Sequence, residues 1–427
     1  VYGVISIVDI IGDGNRPAIR IFGTQYGSED VGRDIPANLA HTMYAAEHLP
    51  AEFELFHESD TYPHNRYFSS AALMESIMTG AMMIGCDNSL FIGGQYLDEP
   101  LEDFGYFAMY ARCVKRWRTL QESLRGGTLA GLQIPYQQKF EELFARPSWE
   151  PGGALSGLRS WARLLGRFGF PYTTLPQRVK VLTRAFVDGM SDAELLEILS
   201  SAALLDAGAA VAAAERGMGE LLGVRAILGE TIPAVEELIL PAAGISATHG
   251  KLMYNFAYAP SGSEAAQYAR IELTGAEALT LYRGPNQQVL HPGLTRFVNA
   301  RGGRVAVLGC SSANASSNLF NHRRKAIFME LFEWLNGEPI DITVVEAPNA
   351  WCLVNKNAER LIVMLANLSP DEIILPKFKV APRWQTSNVE ELDENGNWQM
   401  CESHWKEATL QLSGTAHYLK PRLFRLT

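Results

Sequence analysis

The segment best equipped for chemistry is His57-Glu58-Ser59-Asp60, which follows a short apolar run, Phe53–Phe56. Its two carboxyl groups lie two residues apart, and in an extended chain that spacing puts both on one face. Retaining hydrolysis of a glycosidic bond needs two carboxyl groups about 5 Å apart, one to attack and one to move a proton. Asp60 could tune Glu58 electrostatically or accept a hydrogen bond from a bound hydroxyl. His57, Tyr62, His64 and Arg66 surround the pair. Polar and aromatic groups of this kind suit a pyranose, which offers hydroxyls and apolar C–H faces. A plainer role also stays open, since a strand-end carboxylate can cap a helix or pair with Arg66.

A second polar cluster, Cys86-Asp87-Asn88, follows the apolar run Met82–Cys86, which reads as a strand. Asp87, Asn88 and Phe91 would then complete the rim of the same site. The acidic run Ser28–Asp34 reads as a solvated loop with a helix start, although Glu29 and Arg33 could brace a loop. Cys310 follows the strand-like run Arg304–Leu308, but Gly309-Cys310-Ser311-Ser312 lacks the second glycine of a nucleophile elbow. No His-x-Glu follows it, so a buried, inert thiol is expected. Gly302-Gly303 has neither dinucleotide nor nucleotide spacing and reads as a turn. Trp117, Trp149, Trp161 and Trp334 are expected in the core or at interfaces. Trp384, Trp398 and Trp405 are read as packing residues, with stacking on a glycan as the alternative.

The composition bounds the classes these residues can serve. At 427 residues the chain is long for one hydrophobic core, which implies two or three domains. Apolar residues make up 47% and charged residues 20%, as in ordinary globular proteins. The net charge of −10 argues against a nucleic-acid partner and against an anionic membrane surface. No stretch reaches the roughly 18 to 20 apolar residues that span a bilayer. The five cysteines are scattered, without zinc-site spacing, so no metal and no cofactor are expected. Their odd number gives no disulfide framework and favours a reducing compartment such as the cytoplasm. Val1 opens the chain without a signal-peptide pattern; a lost initiator, a cleaved leader and truncation all stay open.

These residues need elements to position them. Val4–Ile11 and Ala18–Phe22 read as strands, Ile35–His48 as a helix, Ser69–Thr79 as a helix stopped by Gly80, and Phe104–Leu124 as a long amphipathic helix. Strands alternating with helices predict a parallel α/β sheet, and such sheets carry active sites at the C-terminal ends of their strands. A second α/β region starts near Gly126. Its elements include a strand over Thr128–Ile134, a helix over Leu158–Phe168, a strand at Val179–Leu182 and a helix with a Ser191/Glu194 capping box. Between Leu238 and Tyr282 the pattern turns more β-like. From Ile340 onward short strands and an Asn395-Gly396 turn predict a small antiparallel β-domain.

The order of these segments resembles family 42 β-galactosidases. Ser28-Glu29-Asp30-Val31-Gly32-Arg33-Asp34, then Phe56-His57-Glu58-Ser59-Asp60-Thr61-Tyr62-Pro63-His64, then Gly80–Phe91, are similar to the last third of that family's catalytic barrel. Residues 126–340, with Met190-Ser191-Asp192, Leu204-Leu205-Asp206, Glu215-Arg216-Gly217 and Leu222-Gly223-Val224, resemble the family's glutamine-amidotransferase-like trimerisation domain. Residues 341–427 resemble its C-terminal β-domain. The resemblance implies an α/β fold with part of a (β/α)8 barrel over residues 1–125, a carbohydrate substrate, a homotrimer, and Glu58 as catalytic nucleophile. Asp60, His57, Tyr62, His64, Arg66, Asp87 and Asn88 would then bind substrate. The family's acid/base glutamate follows an asparagine on an earlier strand, yet no Asn-Glu precedes Glu58, and too few residues precede it for half a barrel. Either the chain is a fragment or another segment or subunit supplies the remainder. The alternative function is a non-catalytic glycan-binding or assembly protein with the same domains.

Overall fold

The computed structural model describes residues 17–22, 31–59, 66–90, 103–140, 153–228, 234–245, 250–254, 269–312, 319–385 and 387–427. The expected strand Val4–Ile11 and the residues Glu29, Asp60, Tyr62, His64, Phe91 and Trp149 lie outside them. Contacts gather the chain into two compact units: Val1–Gly131 with Leu165–Leu175 and Asp341–Thr427, and Leu132–Leu164 with Pro176–Ile340.

The first unit opens with strand β1 (Ala18–Phe22), helices α1 (Val31–Asn38) and α2 (Ala40–His48), and strand β2 (Glu54–Glu58). Helix α3 (Ala71–Ile84), strand β3 (Asn88–Leu90) and helix α4 (Gly105–Leu124) follow. The three strands form a parallel sheet in the order β1-β2-β3, with Phe22 opposite Glu58 and Glu58 opposite Leu90. Ile21, Phe53 and Leu55 pack with Ala45 of α2 in one apolar cluster. Burying a side chain such as Leu55 stabilises the fold by roughly 1.5–3 kcal/mol over leaving it in water. The helix expected over Ile35–His48 is interrupted at Leu39, beside a turn whose Pro36 carbonyl accepts the Tyr172 hydroxyl at 3.3 Å.

Two expectations around α3 need correction. The helix runs through Gly80 and stops at Gly85, whose φ of 119° lies where glycine is favoured. Gly80 serves close packing, because a Cβ there would come within 2.6 Å of the Trp351 ring. The apolar run Met82–Cys86 is correspondingly no strand. Its first three residues finish α3, and the strand begins at Asn88. Short apolar runs suit either element, and the long helix before this one settles it.

The rest of this unit is a β-sandwich. A four-stranded sheet orders Ile342–Val345, Lys377–Val380, Thr409–Leu412 and Ser403–Lys406. A six-stranded sheet orders Trp398–Met400, Val389–Leu392, Arg422–Leu426, Leu361–Asn367, Ala350–Lys356 and Thr128–Leu129. Neighbours in both are antiparallel, and one core draws on both sheets, with Phe378 against Phe424 at 5.0 Å between ring centres. Gly396, at φ 82°, turns the hairpin between Val389–Leu392 and Trp398–Met400. The sandwich is tied to the helices through Ser76 Oγ donating to the Leu419 carbonyl at 2.7 Å and Trp398 Nε1 donating to Ser123 Oγ at 3.0 Å.

The second unit is α/β. Leu132–Gln133, Val179–Leu182, Ala202–Leu205 and Arg304–Leu308 are parallel neighbours. Val289–Val298, Glu277–Arg283, Glu236–Ile239 and Leu252–Tyr254 extend the sheet antiparallel, as the β-like insertion foreshadows. The Ser191/Glu194 capping box forms at the helix Asp192–Leu199.

Gly80→Ala separates packing from helix propensity. Alanine normally stabilises a helix interior over glycine by about 1 kcal/mol. Collision with Trp351, at roughly 1–3 kcal/mol, should outweigh that gain, for a net loss of up to about 2 kcal/mol in urea unfolding.

Candidate functional site

Side chains alternate along a strand, so the parallel sheet has two faces of different character. Ile19, Ile21, Leu55, His57 and Ser89 share one face, which includes the apolar cluster on α2. Ala18, Arg20, Glu54, Phe56, Glu58, Asn88 and Leu90 share the other, called polar here because it carries the charged residues. Glu58 ends β2 on this polar face and is only 6% exposed. Its Oε1 lies 3.5 Å from Arg20 Nη1, whose side chain is 63% exposed. Asn88 Nδ2 donates to Glu54 Oε1 at 2.8 Å, four residues before Glu58 at the start of the strand.

The other candidates take separate places. His57 points to the face opposite Glu58, is fully buried, and shares a 2.7 Å hydrogen bond between Nδ1 and Ser59 Oγ. Burial pushes its imidazole down to about 3, so it is neutral at ordinary pH. Asp87 precedes β3 and accepts from the Leu55 backbone N–H at 2.9 Å through Oδ2, at the sheet end away from Glu58. Arg66 pairs with Asp103, which also accepts from the Gly105 N–H at 2.8 Å. The Arg66 guanidinium lies where a Cβ at Gly105 would stand, so the arginine packs directly over the start of α4. Of the eight candidate residues, Glu58 and Asn88 share the polar face. Asp60, Tyr62 and His64 are outside the described residues.

Arg20 was not among the candidates. Its signal is the alternation Ile19-Arg20-Ile21, which becomes informative once β1 and β2 are set in parallel register with Arg20 opposite Phe56. An arginine there shares a face with both strand glutamates.

Cys310 is 1% exposed, and burial pushes its thiol up to about 11. The charged and phenolic groups acting on it are Arg324, Tyr282, Glu237 and Asp206, with no imidazole. Glu237 and Arg324 form a buried ion pair, and Asp206 Oδ2 accepts from Ser312 N and Oγ at 3.0 and 2.9 Å. These hydrogen bonds tie Ser312 to Asp206, and burial disfavours the thiolate form of Cys310. The tryptophans of the sandwich pack: Trp384 is buried with Nε1 on Asp341 at 3.0 Å, Trp398 stacks with Arg425 at 4.6 Å, and Trp405 lies against the core. Among the described residues no group of three or more His, Cys, Asp or Glu could hold a metal, and no helix is long and apolar enough to cross a membrane. Two cavities lined by described residues lie away from Glu58. One of about 500 Å³ lies between Ala214, Arg225 and Phe297, and another of about 290 Å³ between Glu391, His417 and Arg422.

No family model matches the chain, and no curated protein matches it in sequence. Among solved structures the chain is similar to the α-L-fucosidase isoenzyme 2 from Paenibacillus thiaminolyticus, at TM-score 0.65 and 13% identity over 98% of this chain and 66% of that one. It is also similar to Gan42B, a GH42 β-galactosidase from G. stearothermophilus, at TM-score 0.61 and 10% identity over 96% and 59%. A β-galactosidase from Bacillus circulans sp. alkalophilus gives TM-score 0.60 and 12% identity over 95% and 60%. The chain therefore shares the mixed α/β fold of glycoside hydrolases related to GH42. It spans between 59% and 66% of the length of these three structures.

The neutral, buried His57 makes a linkage prediction. Its folded-state affinity for a proton is depressed, so the unfolded chain binds the extra proton and stability falls as pH drops from 6.5 toward 3. Between pH 7 and 5 this single group should remove about 2 kcal/mol. Urea titrations of the native protein and His57→Gln should show a stability difference that shifts by that amount in favour of the variant at pH 5.

Proposed function

We propose that this chain forms part of a retaining glycoside hydrolase of β-galactosidase type, cleaving a terminal glycosidic bond of a carbohydrate. In this proposal the β1-β2-β3 sheet is a section of a (β/α)8 barrel, and its polar face is the barrel interior. Residues 126–340 would be an amidotransferase-like trimerisation domain and residues 341–427 an accessory β-domain.

One observation carries the proposal: Glu58 stands at the C-terminal end of a parallel strand, on the polar face beside Arg20. Strand ends of this kind are where α/β barrels carry their catalytic groups. The likeness of fold to a fucosidase and to β-galactosidases supports the same assignment. Glu58 would attack the anomeric carbon as the leaving oxygen departs, forming a glycosyl ester that water then hydrolyses. The leaving group's proton would come from a second carboxyl group, which the family resemblance puts on an earlier barrel strand. A non-catalytic glycan-binding or assembly role with the same domains is the second reading.

Replacing the nucleophile distinguishes the two. Glu58→Gly should lower turnover of a 2,4-dinitrophenyl glycoside by at least about 1000-fold, since a covalent nucleophile is removed. Added azide should restore turnover and give a glycosyl azide of inverted anomeric configuration. Equal turnover by the native and Glu58→Gly proteins would reject the assignment, and glycan binding without turnover by either would support the second reading.

A further inference from the structure

The polar face of the sheet distributes its charges in a way that assigns a role to Arg20. Arg20 and Asn88 both stand opposite Phe56, one from each neighbouring strand. Each is therefore placed in register between Glu54 and Glu58, which flank Phe56 on the same face. The two donors divide: Asn88, a neutral amide, bonds Glu54 at 2.8 Å, while Arg20, a permanent cation, faces Glu58 at 3.5 Å. The glutamate at the catalytic end of the strand thus receives the charge, and the one at the opposite end receives the amide. A guanidinium cannot deprotonate in a protein, so the group facing Glu58 stays a cation at every working pH.

We propose that Arg20 is a positioning residue for Glu58: its guanidinium fixes the carboxylate on the sheet's polar face and stabilises the anion that attacks the sugar. This role rests on the glycosidase reading above. Arg20 is 63% exposed, so water screens its pull on Glu58, and the unfolding midpoint is therefore read beside kcat.

A 2,4-dinitrophenyl 2-deoxy-2-fluoroglycoside tests both levels. Its phenolate leaves with the electron pair of the broken C1–O bond and needs no proton, so the experiment reports on the nucleophile alone. Peptide mass spectrometry should find the fluoroglycosyl ester on Glu58 of the native protein. For the parent dinitrophenyl glycoside, Arg20→Ala should lower kcat roughly 10- to 100-fold, the range of a lost electrostatic partner. KM and the thermal unfolding midpoint should stay near native, millimolar guanidinium should restore kcat, and Arg20→Lys should keep most of the activity. Native kcat in Arg20→Ala, with the label still on Glu58, would overturn the role of Arg20 while leaving the glycosidase reading intact. A label on any other residue of the native protein would overturn that reading itself.

Discussion

Strand alternation is the constraint on which the rest depends. Once β2 packs Leu55 against α2, period-two geometry sends His57 to the same side and Glu58 to the other. Parallel pairing in register then brings Arg20 from β1 and Asn88 from β3 onto the face of Glu58. A slip of β2 by one residue would exchange its faces, turning Glu58 toward the helix and Leu55 and His57 to the side of Arg20. The apolar cluster of Ile21, Ala45, Phe53 and Leu55 therefore does more than stabilise the unit, because it fixes which side of the sheet carries charge.

The helices behind the sheet gain their rigidity from contacts distant in sequence. Glu75 on α3, 3% exposed, is held by Arg112 at 2.8 Å and Arg116 at 3.4 Å from α4. Two cations share this buried carboxylate, so each arginine still compensates it when the other is removed. Trp117 Nε1 donates to Thr79 at 2.9 Å between the same two helices, and Ser76 reaches the Leu419 carbonyl in the sandwich. The segment bearing Glu58 and the last 87 residues thus belong to one compact unit.

Local features of the sequence were legible because their causes are local. The Ser191/Glu194 capping box, the Asn395-Gly396 turn and the strand Arg304–Leu308 each follow from a few adjacent residues. Gly80 was misread as a helix stop because its reason is the ring of Trp351, far along the chain. Asp87 and Asn88 were expected after a strand, but they stand at its start, since Met82–Ile84 completes a helix. The position of Glu58 at a strand end could be read directly, whereas its partner Arg20 needed the register between two strands. His57 lay beside Glu58 in sequence, and adjacency along a strand is what puts the two on opposite faces.

The central claim is that the Arg20–Glu58 face of the sheet receives a sugar. A crystal structure of the protein with a basic iminosugar, which carries positive charge where an oxocarbenium ion would develop, tests it most directly. The account predicts the iminosugar ammonium within hydrogen-bond distance of the Glu58 carboxylate, with Arg20 still facing that carboxylate from β1. Density for the iminosugar at another site, with the Arg20–Glu58 face holding only solvent, would contradict it.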